Sequence, residues 1–274
     1  MINWIGILAV VLGFGAYLIG IKVSGLRWSR FSEGILGGLG ILLAIPALVY
    51  VFYYSKLMGE PLWLYTIRAV PGSELLAAPA GFFGGWIQAR YVPLLKLSRV
   101  GSRCFVPVLL AFGLFIPYLK PILRPLAAHE IAQDWEGEVC LQTTPSTCGP
   151  ASAATIMHQF GSKISERELA VESFSSTSGT ENWYLARAIR KRGFKANFLR
   201  ADITEAPLPS IAGVRLPTAD NAGHFIALLQ RDGETIVYSD PLHGKSAATA
   251  TELQKLYGFT GFFMAISADS AGAR

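Results

Sequence analysis

A cysteine followed by glycine and proline, in "TCGPASAATIMHQFG", places Cys148 directly before a small-residue run of helical character that ends at Gly161. A thiol attacks as its thiolate, and the unpaired N–H groups and dipole at a helix N-terminus favour that anion. Gly149 permits close approach of a second backbone, and Pro150 suits a first helical turn. On its own the stretch fits a buried structural cysteine better, so partner groups must decide.

A thiolate needs a base, and the base needs a group that orients it. "GHFIALLQRDGETIVYSDP", residues 223 to 241, offers both on one expected hairpin. With "RDG" as a three-residue loop ending at Gly233, Gln230 faces Glu234 and paired residue numbers sum to 464. His224 then lies directly opposite Asp240, with β-carbons about 5 Å apart. A two-residue loop would send the two side chains to opposite faces. Singly, His224 reads as a structural histidine and Asp240 as a turn residue before Pro241; paired, they read as base and orienting group. Gln142, six residues before Cys148, is either a surface glutamine or a side-chain amide able to donate to an oxyanion. His129, His158 and His243 lack comparable neighbours and read as structural or solvent-facing. Cys104 opens an apolar stretch and reads as a packing residue. Cys140 and Cys148 would be able to pair as a disulfide outside the cytoplasm. Neither Cys-x-x-Cys nor a histidine at zinc spacing occurs, so no metal or other cofactor is expected.

The elements that must position these residues divide the chain. Of 274 residues, 51% are hydrophobic and 16% charged, too apolar for an ordinary soluble protein. Residues 1–125 carry eleven Lys and Arg against three Asp and Glu, whereas residues 126–274 carry thirteen against sixteen. The excess cations sit in short loops between apolar runs, which sets membrane topology rather than nucleic-acid binding. Four membrane helices are expected, over about 3–21, 34–53, 75–88 and 104–119, with three as the alternative, because the third stretch is short, carries Pro79 with three glycines and reads as a helix, a tilted helix or a re-entrant segment. Gly34 with Gly38, and Gly81 with Gly85, have the spacing that lets helices approach closely. Cations at 22–33 and 89–103, Lys96 among them, place those loops in the cytoplasm and the C-terminal half outside the membrane's cytoplasmic face, in a multi-pass bacterial cell-membrane protein.

Residues 126–138 read as a linker, 139–267 as a domain and 268–274 as a tail. Helices are expected at 149–160, 165–173, 181–192 and 249–257, and strands at 194–200, 211–216, 224–230, 234–240 and 259–267. Helices first and strands later argue for an α+β domain.

The set formed by Gln142, Cys148 with Gly149 and Pro150, Gly223-His224-Phe225 heading a strand and Ser239-Asp240-Pro241 closing the next resembles the bacteriocin-processing, double-glycine leader peptidases, a papain-like cysteine peptidase family. The resemblance covers about residues 135–267 and none of the membrane half. It implies an α+β papain-like cysteine peptidase domain after an α-helical multi-span membrane domain. It also implies Cys148 as nucleophile, His224 as general base and acid, Asp240 as orienting carboxylate and Gln142 as oxyanion donor. It further implies peptide or protein substrates, with leaders cut after a pair of small residues as the narrower class, and a lipid bilayer as the other partner. Thr147 stands where many members carry an acidic residue. "GKS" at 244–246 is preceded by Ser239 where a phosphate loop needs glycine, so no ATP site is expected. The expected function is a membrane-anchored cysteine peptidase. Alternatives are an inactive peptide-binding module on a membrane anchor, or a transacylase or amidase using the same three residues.

Overall fold

The computed structural model describes residues 2–95, 98–217 and 219–268. Lys96 and residues 269–274 of the expected tail lie outside the described residues. The chain forms two compact units, one of residues 2–61 and 71–123, the other of residues 62–70 and 124 onward.

The first unit contains α1 (Trp4–Ser24), α2 (Arg30–Tyr54), α4 (Ala80–Arg90) and α5 (Arg99–Leu123); the intervening α3 (Leu62–Arg68) belongs to the second unit. Among the described residues three helices, Trp4–Ser24, Arg30–Tyr54 and Arg103–Leu123, are long and apolar enough to cross a membrane. The 21 residues of α1 rise about 32 Å, close to the thickness of a bilayer's hydrocarbon core. Val11, Leu42 and Phe112 point outward, each more than half exposed, so the helices present apolar surface away from one another.

The segment expected as a fourth span differs. Residues Ser73–Ala77 form a 3-10 turn, and the 11-residue α4 rises only about 16 Å. Together they still traverse the unit. At one end Asn3 Nδ2 donates to Glu74 Oε1 (3.2 Å) and the Tyr118 hydroxyl to the Glu74 carbonyl (3.3 Å). At the other, Arg90 donates to the Ser24 carbonyl (3.0 Å) and pairs with Glu33. Thus α4 runs parallel to α1, and β-carbons added at Gly81 and Gly85 would collide with the carbonyl oxygens of Gly13 and Tyr17. Gly34 and Gly38 meet nothing, so only one of the two glycine pairs makes a close approach. Because α1 and α4 run one way and α2 and α5 the other, the loops after α1 and after α4 share one end of the unit.

In the second unit, β1 (Asp134–Glu136) and β2 (Val139–Leu141) form a small antiparallel ladder. Three helices follow: α6 (Cys148–Gln159), α7 (Glu166–Glu172) and α8 (Asn182–Lys191). The main sheet comprises β3 (Phe194–Arg200), β4 (Ser210–Leu216), β5 (Ala222–Asp232), β6 (Thr235–Asp240), β7 (Gly244–Thr249) and β8 (Gly258–Ala268). The helix α9 (Ala250–Leu256) precedes β8. Strand order is β3-β8-β4-β5-β6-β7, antiparallel throughout, an α+β arrangement. The expected elements are present with ends shifted by a few residues. β7 was not expected, because "GKSAAT" lacks the β-branched and aromatic residues that mark strands; it forms an edge strand, with Lys245 paired to Glu138 at 3.2 Å.

Two domain boundaries are corrected. Residues 126–138 are not a free linker: Leu126 and Ile131 are buried with Ala170, and Arg167 Nε donates to the Ile131 carbonyl at 2.6 Å. Nor do residues 1–125 form one domain, since Leu62–Val70 packs within the second unit. Tyr65 is 1% exposed among Trp183, Phe198 and Phe262, with ring centroids 5.6 to 5.8 Å apart.

Candidate active site

Cys148 is the first residue of α6 and is half-buried, with a free thiol. The helix is fixed from several sides. Ser152 Oγ donates to the Phe225 carbonyl on β5 (3.2 Å), and Thr155 Oγ1 accepts from the Cys140 N–H on β2 (3.0 Å). A β-carbon at Gly149 would sit 3.2 Å from Leu185 and 3.5 Å from Phe225, so glycine lets the helix start seat against α8 and β5.

His224 and Asp240 come together, though not in the expected register. The loop is two residues long, Gly233 and Glu234, with Asp232 paired to Thr235. Continued to its end, this register would turn His224 and Asp240 to opposite faces. A bulge between Leu228 and Gln230 inserts one residue into β5, after which Leu228 pairs Tyr238 and Ala227 pairs Ser239. The bulge restores the shared face, with His224 two residues diagonal to Asp240 rather than opposite it. His224 Nε2 lies 2.8 Å from Asp240 Oδ1, which leaves Nδ1 as the ring's other nitrogen, and the Cys148 side chain is near enough to raise the imidazole's pKa.

Asp240 is almost wholly buried and fully engaged. Its Oδ1 also accepts from the Leu242 N–H (2.9 Å), and Oδ2 accepts from the Tyr257 hydroxyl (2.7 Å). Burial pushes this carboxyl's pKa up, but the hydrogen bonds from His224, Tyr257 and Leu242 outweigh it and hold the group below its usual value. Tyr257 was missed from sequence. It follows α9, and no local pattern links it to Asp240.

Burial lowers the pKa of His224, but Asp240 first and Cys148 second reverse this and raise it from 6.5 to about 9. A histidine whose pKa is higher in the folded than in the unfolded state gives stability that is complete below about 6.5 and is lost as pH rises through about 9. The unfolding free energy of this unit is expected to fall by about 3 kcal/mol across that window. Denaturant titrations at stepped pH should show the fall in the wild type and its disappearance in His224→Phe.

Gln142 lies in the loop between β2 and α6. Its N–H donates to the Pro241 carbonyl beside Asp240, and its side-chain Nε2 donates to the Thr144 carbonyl, both at 2.9 Å. One Nε2 hydrogen is thereby used to fix the amide, and the second remains for a ligand. Glu166, also missed from sequence, is fully buried and accepts hydrogen bonds from Thr143 in this loop.

The other candidates fall outside this group. His158 stacks on Trp135 with ring centroids 4.9 Å apart, His129 lies in a 3-10 turn, and the His243 N–H caps the Asp240 carbonyl. Cys140 and Cys148 are both free, which removes the disulfide reading; burial pushes the Cys140 thiol up to about 12, with Glu166 adding to the shift. Cys104, expected as a packing residue, is exposed on α5, because an outward face of that helix is itself apolar. Among the described residues no three His, Cys, Asp or Glu side chains gather as a metal site.

A half-buried thiol at a helix start, an imidazole whose pKa it raises and a buried carboxylate behind the imidazole can move a proton from sulfur to nitrogen and stabilise the resulting ion pair. Residues 137–270 match the model of the peptidase C39 family. An uncharacterized protein of Methanothermobacter marburgensis (strain Marburg) is 32% identical over 104 residues, covering 38% of this chain and 71% of that protein. An uncharacterized protein of Methanothermobacter thermautotrophicus (strain Delta H) is 24% identical over 107 residues, covering 39% and 73%. Among solved structures, a double glycine motif protease from an AMS/PCAT transporter in complex with the leader peptide aligns over 50% of this chain and 90% of that one, at 20% identity and TM-score 0.39. The peptidase domain of Streptococcus ComA aligns over 51% and 98%, at 19% identity and TM-score 0.40. Through its C-terminal α+β domain, the chain belongs to the peptidase C39 family.

Proposed function

We propose that this protein is a membrane-anchored cysteine endopeptidase that uses Cys148, His224 and Asp240. The observation that carries the reading is the His224 ring, hydrogen-bonded to the buried Asp240 carboxylate at 2.8 Å, with the Cys148 thiol the second group that raises its pKa. His224 takes the thiol proton as sulfur attacks a peptide carbonyl. The Gln142 amide, with backbone N–H groups at the start of α6, receives the developing oxyanion. The imidazolium returns its proton to the leaving amine, and water releases the acyl-enzyme with His224 as base. Membership of the peptidase C39 family supports a peptide substrate, and a leader ending in two small residues is the candidate class.

The basic residues Lys22, Arg27, Arg30 and Arg90 lie in or beside the two loops that share one end of the helical unit. With that end in the cytoplasm, α5 delivers the peptidase domain to the opposite side. One experiment examines both statements. A membrane-impermeant leader-like peptide ending in Gly-Gly with an electrophilic C-terminus is added to intact cells expressing the full chain, and the modified residue is mapped. Adduct on Cys148 alone supports both. Adduct on Cys148 only after cell rupture reverses the orientation, and adduct spread over Cys104 and Cys148 without saturation argues against a peptidase site.

A further inference from the structure

Glu166, the first residue of α7, is 0% exposed yet faces only neutral hydrogen-bond donors. Its two oxygens accept from the Thr143 N–H at 3.1 and 3.3 Å, and Oε2 also accepts from Thr143 Oγ1 at 3.0 Å. Asp134 on β1 and Cys140 on β2 are the titratable groups that act on it, and neither is a cation. Burying a carboxylate without a positive partner is costly. What it holds explains where it sits.

Thr143 and Thr147 are the two ends of the segment joining Gln142 to Cys148. Inside it, Thr144 Oγ1 lies 2.8 Å from Thr147 Oγ1, and the Thr144 carbonyl accepts both from the Gln142 amide at 2.9 Å and from Thr147 Oγ1 at 3.1 Å. Outside it, Thr143 Oγ1 accepts from the Ala132 N–H at 3.0 Å. Thr147 occupies the N-cap position of α6, where a threonine hydroxyl ordinarily accepts from a helix N–H. Here it makes no such bond. Turned toward Thr144, it leaves the first turn of α6 uncapped; Pro150 has no N–H, so the amides of Cys148 and Gly149 are the donors that turn presents.

We propose that Glu166 is a positioning residue for peptide cleavage: by clamping Thr143 it fixes the loop whose Thr144 carbonyl holds both the Gln142 amide and the Thr147 hydroxyl, and so places the Gln142 amide and the α6 amides about the Cys148 sulfur. The proposal rests on the peptidase reading given above. It assigns Glu166 no contact with substrate and no proton transfer.

The test uses the full-length protein with Glu166→Gln, Thr147→Val and Thr147→Ser. Displacing oxyanion donors by a fraction of an ångström is expected to lower kcat about 10- to 100-fold in Glu166→Gln and in Thr147→Val, with KM within about twofold. Thr147→Ser keeps the hydroxyl and should retain kcat within about threefold. Alkylation of Cys148 by iodoacetamide needs no oxyanion donors, so its rate should stay within about threefold in all three variants. An unchanged kcat in both Glu166→Gln and Thr147→Val overturns the proposal. So does a loss shared equally by Thr147→Ser, or one that appears in alkylation to the same extent, since either marks a purely structural role. If the wild type cuts no peptide, the peptidase reading fails on its own. The clamp is then read from amide hydrogen exchange of residues 143–148, which should accelerate at least about tenfold in Glu166→Gln and would refute the clamp by staying unchanged.

Discussion

Replacing Cys148 by alanine should lower the rate of peptide cleavage by about 10⁴- to 10⁶-fold, and replacing His224 by alanine should cost about as much. The double variant should be no slower than either single one. The reason lies in the shared proton. Without the imidazole the thiol loses the group that takes its proton, and without sulfur the imidazole has nothing to activate, so each removal disables the same step. Asp240→Asn should be milder, about 10²- to 10⁴-fold, because it leaves the ring in place but alters the charge and tautomer behind it. Its expected signature is a displaced pH profile. The Asp240 hydrogen bond is the first influence raising the pKa of His224 to about 9, so the alkaline limb of kcat/KM should move to lower pH in this variant. Single-turnover cleavage of a double-glycine leader peptide, followed by mass spectrometry across pH 5 to 10, gives all four results. Losses that multiplied in the double variant would mean that Cys148 and His224 act in separate steps, contrary to the proposed mechanism.

The hairpin shows both what could be read from the sequence and why. That His224 and Asp240 share a face was expected from a three-residue loop that the structure lacks, and it holds because the net shift of register is even, which preserves the face. The register itself was not legible. It depends on the turn and on the bulge at Leu229, and the two depart from expectation in compensating ways: a shorter loop shifts the pairing by an odd number, and the bulge shifts it by one more. Cys148 at a helix start was legible because Gly149, Pro150 and the small-residue run are local signals. Tyr257 and Glu166 were not, since each reaches its partner through folding rather than spacing. Tyr257 lies 17 residues beyond Asp240, and Glu166 lies 23 beyond Thr143. The helical unit was legible as apolar runs and basic loops. The segment from Ser73 to Arg90 crosses that unit with a 3-10 turn and a short helix, which a search for 20 apolar residues does not anticipate.

Tyr65→Ala should destabilise the C-terminal unit by about 3 to 5 kcal/mol, although residue 65 lies in the stretch between two helices of the other unit. The ring is 1% exposed and meets Trp183, Phe198 and Phe262, an aromatic socket drawn from α8, β3 and β8. Arg68, one turn on, is also 1% exposed. Its guanidinium lies 5.2 Å from the Trp183 ring centre and donates to the Tyr184 hydroxyl at 3.1 Å. Arg187 then closes the contact by donating from Nε (3.0 Å) and Nη2 (2.6 Å) to the Arg68 carbonyl. A helix of seven residues has almost no stability alone, so α3 persists through this docking, and the socket in turn loses its cover when Tyr65 is cut back. Against a total stability of about 5 to 15 kcal/mol the expected loss is large, and it corresponds to a fall in melting temperature of about 10 °C or more. Ile67→Ala, at a position 43% exposed, should change stability by no more than about 0.5 kcal/mol. The same reasoning applies to a fragment starting at Arg124, which lacks α3. It should melt lower than the same fragment with residues 61–71 fused through a flexible linker. Equal melting of the two fragments would show that the aromatic socket closes without α3 and that the peptidase fold is complete from Arg124 onward.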